Sequence, residues 1–314
     1  MQDLHELPKL RDSLSYLYVE HAMLDKKQQA VEYVQKDGRT LIPIANLSVL
    51  MLGPGTSITH AAINTLARSG CTILWTGEDA TRFYAQGIGE TRKGRRLLRQ
   101  AELVSQPQLR QQVVINMYRH RFNYELSATL NLNQIRGKEG VRVREAYAQA
   151  SRDYNVPWNG RKYDRGSWGS TDPINRALSA ANALLNGLCH AAIVSGGYSP
   201  GLGFIHTGKQ LSFVYDVADL YKADITIPLA FAAVAESEEK VESRVRAACR
   251  EKFKESKLLQ RILPDIDELL DLQETADIPT IEADGDVDAD PALPTEYWGR
   301  IEGKEGGQDD HHDS

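Results

Sequence analysis

The first ninety residues alternate short runs of β-branched and aromatic residues with turn residues. Two runs, 31–35 and 39–44, flank Lys36-Asp37-Gly38 and predict a β-hairpin, because the Asp-Gly pair tolerates the positive φ angles of a tight turn. Further runs predict strands at 48–52, 71–75 and 82–86. The pattern indicates a β-rich N-terminal domain.

One helix is predicted between these strands. It follows a Gly-Pro-Gly turn, we expect Thr56 or Ser57 to cap it, and its apolar residues recur at helical spacing: Ile58, Ala61, Ala62 and Leu66. A strand, a glycine turn, a helix and a second strand also open dinucleotide-binding folds. That alternative is disfavoured, because no G-x-G-x-x-G sequence opens the helix and most later strands are missing.

From Thr91 to about Leu272 the apolar residues recur every three or four positions, as in the stretch from Leu109 to Met117, which predicts an all-helical region. A helix is expected to begin at Pro173, since proline at the first helical position lacks only an amide that would be unpaired anyway. Seven residues of this helix form an apolar face that we predict to be core: Ile174, Ala177, Leu178, Ala181, Leu184, Leu185 and Leu188.

Beyond Asp277 the sequence alternates Asp with small residues and prolines, a composition that cannot bury enough apolar surface to become ordered. We therefore predict an α+β chain with a β-rich domain at 1–90, an α-helical domain at 91–272 and an acidic, disordered tail at 273–314.

The composition of the 314 residues, 41% hydrophobic and 25% charged, is that of a globular protein in water. Three widely spaced cysteines predict neither a disulfide framework nor a thiolate zinc site. The apolar stretch 177–197 is the nearest approach to a membrane span, but polar residues interrupt it, and no signal sequence opens the chain. We expect a cytoplasmic protein without a membrane partner.

The net charge of -6 hides an uneven distribution. Residues 262–314 contain 17 acidic and 2 basic residues, which leaves 35 basic against 26 acidic residues, a net +9, on residues 1–261. A cationic body attracts polyanions such as nucleic acid. A solvated surface without a polyanionic partner accounts for the same balance equally well.

Four residues are candidates for metal chemistry: Glu139, His206, Asp216 and Asp219. Asp216 and Asp219 are three positions apart, so on a helix both carboxylates can face one cation. By spacing alone this signal is weak, because such pairs usually face water and a lone histidine is more often a structural residue than a ligand.

The surrounding motifs are more specific: RGKEG at 136–140, WNGRKYD at 158–164, GFIHTGK at 203–209 and SFVYDVAD at 212–219. In this order and spacing they resemble the CRISPR-associated integrase, the metal-dependent endonuclease subunit of the spacer-acquisition complex, and most closely its type I-E branch. The resemblance runs from about Leu7 to Pro264 and does not reach the tail.

The resemblance implies that 91–272 is the catalytic domain of a homodimer, which assembles with a small second CRISPR-associated subunit around DNA. It implies that Glu139, His206 and Asp219 bind Mg²⁺ or Mn²⁺, with Asp216 beside them as an outer ligand or orienting acid. In the implied reaction a 3′-hydroxyl of short captured DNA, double-stranded with single-stranded 3′ ends, attacks the CRISPR repeat by transesterification. His206 could instead shuttle a proton to the leaving oxygen.

Basic residues around these motifs are candidates to neutralise DNA phosphates: Arg136, Lys138, Arg142, Arg144 and the basic junction at 92–99. The resemblance further implies that Arg82 lies along the DNA path, and that Lys209, Tyr163 and Trp168 lie near the pocket that reads the end of the captured DNA. Both aromatic residues could instead be ordinary core or rim residues. The alternative for the whole chain is a non-catalytic DNA-binding scaffold that holds and measures DNA ends for other nucleases.

Overall fold

The computed structural model describes residues 16–28, 30–35, 38–44, 47–78, 83–87, 94–122, 124, 126–127, 129–161 and 172–272. The chain divides into two compact units, Met1–Gln273 and Glu274–Ser314, and all described residues belong to the first. The predicted tail at 273–314 therefore lies outside the described residues.

Two four-stranded sheets form the N-terminal part of this unit. Their strands are β1 (Tyr16–Val19), β2 (Met23–Lys27), β3 (Ala30–Gln35), β4 (Gly38–Ile42), β5 (Val49–Leu52), β6 (Ser57–Ile58), β7 (Thr72–Thr76) and β8 (Phe83–Gly87). One sheet has the order β1-β5-β7-β8, with β8 antiparallel to its neighbour, and the other has the order β4-β3-β2-β6. The predicted hairpin is confirmed, because β3 and β4 pair antiparallel with Gln35 opposite Gly38.

The helix between these strands, α1 (His60–Arg68), begins later than expected. The predicted cap at Thr56 or Ser57 is wrong: the hydroxyl of Thr59 accepts the amide of Ala62 at 3.2 Å and so caps the helix. Ser57 instead belongs to β6, which pairs with β2 and keeps the chain extended until Thr59. Several hydroxyl residues precede the helix, and the long-range strand pairing decides which one caps it.

Helices are the regular secondary structure of the described residues from 94 to 272, as predicted. They are α2 (Arg95–Ser105), α3 (Pro107–His120), α4 (Leu132–Asp153), α5 (Pro173–Ser195), α6 (Ser212–Ala218), a π-helical turn (Lys222–Thr226), α7 (Ile227–Glu236), α8 (Val241–Glu255) and α9 (Leu258–Leu269). The start of α5 at Pro173 is confirmed, and the carboxylate of Asp172 caps it by accepting the amide of Asn175 at 2.9 Å. The α+β class is thus confirmed for the described residues.

Helix α5 is the centre of the helical core. It packs against α6, α7, α8 and α9, and its predicted apolar face is buried except at Leu188, which is half-buried. The sheet that contains β5 and β7 packs on the C-terminal half of α5 through Met51, Leu74 and Val194. By length and composition α5 could span a membrane, but 67% of its most apolar window is buried inside the protein, as in the core helix of a water-soluble protein.

Candidate metal and nucleic-acid site

The carboxylate of Asp216 organises the glycine-rich loop between α5 and α6. Asp216 is fully buried on α6. Its Oδ2 accepts the backbone amides of Phe204 and Ile205 at 2.6 and 3.0 Å, and its Oδ1 accepts that of His206 at 2.8 Å. Three consecutive amides therefore converge on one buried charge, which fixes the path of the loop just before the candidate histidine.

The imidazole of His206 is held by the same carboxylate. Its Nδ1 lies 2.7 Å from Asp216 Oδ1, and because a carboxylate only accepts, Nδ1 carries the proton. This hydrogen bond is the main cause that raises the pKa of His206. The side chain is 43% exposed, and Nε2 has no hydrogen-bond partner among the described residues. A carboxylate that fixes one imidazole nitrogen and leaves the other open is the usual support of a metal-binding histidine.

Asp219 has different surroundings from Asp216. It caps the C-terminus of α6, is about a quarter exposed, and accepts the ammonium group of Lys222 at 2.5 Å. Both carboxylate oxygens of Asp216 accept hydrogen bonds from the loop and from His206. Of the two roles predicted for Asp216, outer metal ligand or orienting acid, this geometry favours the orienting acid. The carboxylate of Asp219 is the more accessible of the two.

Glu139 lies on the first half of α4, which opens with a capping box at Asn131 and Gln134. It is 6% exposed and paired with two arginines. Arg142 donates from Nε and Nη2 to its two oxygens at 2.8 and 3.1 Å, and Arg121 donates from Nη1 at 3.3 Å. These bonds raise the pKa of Arg142. A buried carboxylate is thereby neutralised without a metal ion.

The helix that carries Glu139 packs close to the segment that follows Asp219. Helix α4 packs against α7 and against the π-helical turn that follows Asp219. Asp219 also lies close enough to His206 for its negative charge to help raise the pKa of the imidazole. Convergence of Glu139, His206 and Asp219 on one ion stays a prediction, since no three His, Cys, Asp or Glu side chains of the described segments are grouped closely enough to hold a metal.

The chemistry of the donor set nevertheless fits Mg²⁺ or Mn²⁺. Two carboxylates supply the hard oxygen ligands that both ions prefer, and an imidazole adds affinity for Mn²⁺. Glu139 and Asp219 are each paired with a basic side chain that a divalent cation could replace. The open Nε2 of His206 completes the set.

The predicted DNA-binding residues have several different environments. Arg136, Lys138 and Lys209 are exposed, whereas Arg142 is half-buried on Glu139. Arg82, Tyr163 and Trp168 lie outside the described residues. Phosphate binding by these residues stays a prediction.

The basic junction is partly structural. Arg96 donates to both oxygens of Asp267 at 3.0 and 2.6 Å, and Arg99 donates to Glu102 at 2.8 Å. Arg96 is therefore a bridge between α2 and α9, which makes it a poor candidate for the phosphate binding expected of the 92–99 segment.

Sequence analysis missed the residues that support the loop from outside. The fully buried amide of Gln100 donates to the carbonyls of Ser199 and Leu202 at 3.0 and 2.9 Å and accepts the amide of Ser199 at 2.8 Å. Arg110 donates twice to the carbonyl of Phe204, at 3.0 and 2.8 Å. Their partners lie more than ninety positions away, and no local pattern connects residues at such a distance.

The chain is similar to known proteins over most of its length. The family model described as CRISPR associated protein Cas1 matches residues 15–123 and 120–248. The chain is 54% identical over 305 residues to CRISPR-associated endonuclease Cas1 2 of Thermus thermophilus, covering 96% of this chain and 92% of that protein. It is 44% identical over 297 residues to CRISPR-associated endonuclease Cas1 1 of Rhodospirillum rubrum, covering 91% and 93%.

Among solved structures, the crystal structure of a TtCas1–DNA complex matches with a TM-score of 0.77 and 56% identity, covering 85% of this chain and all of that one. The fold, the family model and the extent of identity with full-length relatives agree. The chain therefore belongs to the Cas1 family of CRISPR-associated proteins.

Proposed function

We propose that this protein is a divalent-metal-dependent endonuclease and integrase of CRISPR adaptation. It would join the 3′-hydroxyl ends of short captured DNA to the CRISPR repeat. The observation that carries the proposal is the His206 imidazole: Asp216 fixes Nδ1 at 2.7 Å, Nε2 has no hydrogen-bond partner among the described residues, and the charge of Asp219 is close enough to act on the ring. Relatives that match over most of their length are named endonucleases, and a DNA complex is known for a chain 56% identical to this one.

The reaction requires no external energy source. The 3′-oxygen of the incoming strand forms a bond to the repeat phosphorus, the bond to the leaving 3′-oxygen breaks, and the hydroxyl proton passes to that leaving oxygen by way of solvent or a side chain. Each new phosphodiester replaces an old one, so neither hydrolysis nor ATP is needed. Water in place of the hydroxyl gives cleavage instead.

Glu139, His206 and Asp219 would hold the metal. Bound there, Mg²⁺ or Mn²⁺ would supply stabilisation of the negative charge that develops on the phosphate oxygens. Asp216 keeps the proton of His206 on Nδ1 and thereby presents Nε2 with its lone pair outward. If His206 serves as a proton shuttle instead, the same hydrogen bond stabilises its charged form.

We also propose the partners that this function requires. These are double-stranded DNA with single-stranded 3′ ends, CRISPR repeat DNA, a second copy of this chain and a small second adaptation subunit, all in the cytoplasm. The exposed side chains of Arg136, Lys138 and Lys209 would neutralise phosphates, and Arg82 would extend this path. Tyr163 and Trp168 would stack on splayed bases.

A strand-transfer assay tests the proposal. The purified protein, its partner subunit and a radiolabelled short duplex are incubated with a supercoiled plasmid that carries the CRISPR leader and repeat, in Mg²⁺ or Mn²⁺. We expect Asp219→Ala and His206→Ala each to slow covalent joining by about a thousandfold or more while DNA binding survives. Asp153→Ala and His120→Ala change exposed residues of the same types on α4 and α3 and should join at the wild-type rate.

Joining at the wild-type rate by both site variants would exclude this chemistry. That result would favour the alternative, a scaffold that holds and measures DNA ends for other nucleases. Loss of DNA binding together with joining would point to a damaged fold, which the melting temperature of each variant checks.

A further inference from the structure

The carboxylate of Glu139 is shared by two guanidinium groups that differ in their freedom to move. Arg142 forms a two-pronged bond to it, and Arg121 adds a single longer one. We propose that Arg142 is exchanged between two anions: it neutralises Glu139 in the metal-free protein and binds a DNA phosphate once a divalent cation has taken Glu139. The proposal rests on the proposed function, because it requires Glu139 to be a metal ligand.

The charges around Glu139 favour such an exchange. One carboxylate and two guanidinium groups carry a net charge of +1. A divalent cation on the same carboxylate would add two positive charges, of which the Asp219 carboxylate offsets one, within a few ångströms of buried groups, where like charges repel strongly. The release of one guanidinium removes part of that repulsion, so one arginine is expected to leave when the metal binds.

Arg121 is the arginine that stays. Its side chain is only 5% exposed and lies over the ring of Tyr118, with the guanidinium carbon 5.2 Å from the ring centre. Its Nε and Nη2 are buried without a hydrogen-bond partner in the described part of the chain. The side chain is therefore enclosed by protein.

Arg142 is the arginine that can leave. Its side chain is 20% exposed, four times the exposed fraction of Arg121, and its guanidinium lies 5.7 Å from the ring centre of Phe122. The same stretch of α4 carries the exposed Arg136, Lys138 and Arg144, none of which forms an ion pair with another described residue. A released Arg142 would join this cationic row, and its fork of donors fits phosphate oxygens as well as it fits a carboxylate.

The exchange couples metal binding to DNA binding. If Mn²⁺ releases Arg142 for a phosphate, then Mn²⁺ must tighten DNA binding, and DNA must tighten Mn²⁺ binding by the same factor. A metal-free protein would keep Arg142 on Glu139 and hold DNA less tightly. The protein would thus hold DNA best when its catalytic ion is in place.

Mn²⁺ titration of the full chain without DNA, followed by electron paramagnetic resonance, is the first test. Arg142→Gln removes the competing charge and should tighten Mn²⁺ binding at least about tenfold, since close charge pairs couple by more than about 1.4 kcal/mol. Arg144→Gln is the matched control, because it removes an exposed arginine two positions away that has no ion pair among the described residues, and it should leave Mn²⁺ affinity unchanged.

DNA affinity with and without Mn²⁺ is the second test. Wild-type protein should bind a short duplex several-fold more tightly in Mn²⁺ than in EDTA at fixed ionic strength. Arg144→Gln should weaken binding in both conditions and keep the ratio, whereas Arg142→Gln should lower the ratio by removing the part that Arg142 contributes. If Arg142→Gln does not fold, Arg142→Lys is used in its place. Lysine cannot form the two-pronged bond to Glu139, so this variant should also bind Mn²⁺ more tightly than the wild type.

The outcomes separate this inference from the proposed function. If Glu139→Gln leaves Mn²⁺ affinity at the wild-type value, Glu139 is not a ligand and the proposed metal site itself is wrong. If Glu139→Gln abolishes Mn²⁺ binding but Arg142→Gln changes neither Mn²⁺ affinity nor the DNA ratio, the metal site stands and the exchange of Arg142 is refuted.

Discussion

Replacement of Asp216 by asparagine should destabilise the protein far more than the same change at Asp219. The two acids lie three positions apart and have the same residue type, yet one is fully buried and accepts four hydrogen bonds, whereas the other is about a quarter exposed and pairs with Lys222. Because both variants make the same substitution, a difference between their free energies of unfolding reports the surroundings of the side chain and not its chemistry.

The magnitude follows from the bonds that asparagine cannot make. Its NH₂ group is a donor, so whichever oxygen of Asp216 it replaces, two donors of the loop lose their acceptor. On one side these are the amides of Phe204 and Ile205, and on the other the amide and ring of His206. Each unsatisfied group costs about 1–3 kcal/mol, or about 2–6 kcal/mol in total. Asp219→Asn should cost about 0–1 kcal/mol, as exposed ion pairs do.

Urea unfolding of the metal-free protein at pH 7, followed by circular dichroism, measures both free energies of unfolding. A loss below about 1 kcal/mol for Asp216→Asn, or equal losses for the two variants, would refute the role of Asp216 as organiser of the loop. The effect of Asp219→Asn on strand transfer should not follow its effect on stability, since this variant is expected to abolish joining while barely changing the free energy of unfolding.

Two further predictions concern the core and the loop. Burial lowers the pKa of His190 to about 4, so below pH 6.5 the unfolded chain binds a proton that the folded chain does not. The free energy of unfolding should therefore fall by up to about 3 kcal/mol between pH 6.5 and 4. His190→Phe keeps a ring against Phe83 and should flatten this part of the pH profile measured by urea unfolding. An unchanged slope in the variant would contradict this assignment. A Cβ at Gly203 would lie 2.3 Å from the carbonyl oxygen of His206, so Gly203→Ala should cost about 1–3 kcal/mol. Gly137→Ala, where a Cβ meets nothing within 4 Å on an exposed helix, should instead gain up to about 1 kcal/mol, and similar effects of the two changes would argue against close packing at Gly203.

Elements with local signals were predictable. The β3–β4 hairpin has β-branched residues on both sides of an Asp-Gly sequence, and α5 has a capping aspartate followed by proline and a continuous apolar face. In contrast, β1, β2 and β6 were not predicted individually. Strands β1 and β6 pair with strands far along the chain, β5 and β2. Strand β2 does form a hairpin with the next strand, β3, but it ends in exposed charged residues that give no clear alternation.

The sequence by itself determined the order of β-rich and helical regions, the family resemblance and the residue types of the site, because periodicity, capping residues and motif spacing are local properties of a chain. Only the tertiary structure decided that Asp216 is buried beneath the loop and that Asp219 stays accessible. It also decided that the carboxylate of Glu139 is bound both by Arg142 and by Arg121, 18 positions earlier. Burial and ion pairing depend on which distant segments pack together, and it is this packing that gives two identical carboxylates, three positions apart, different roles.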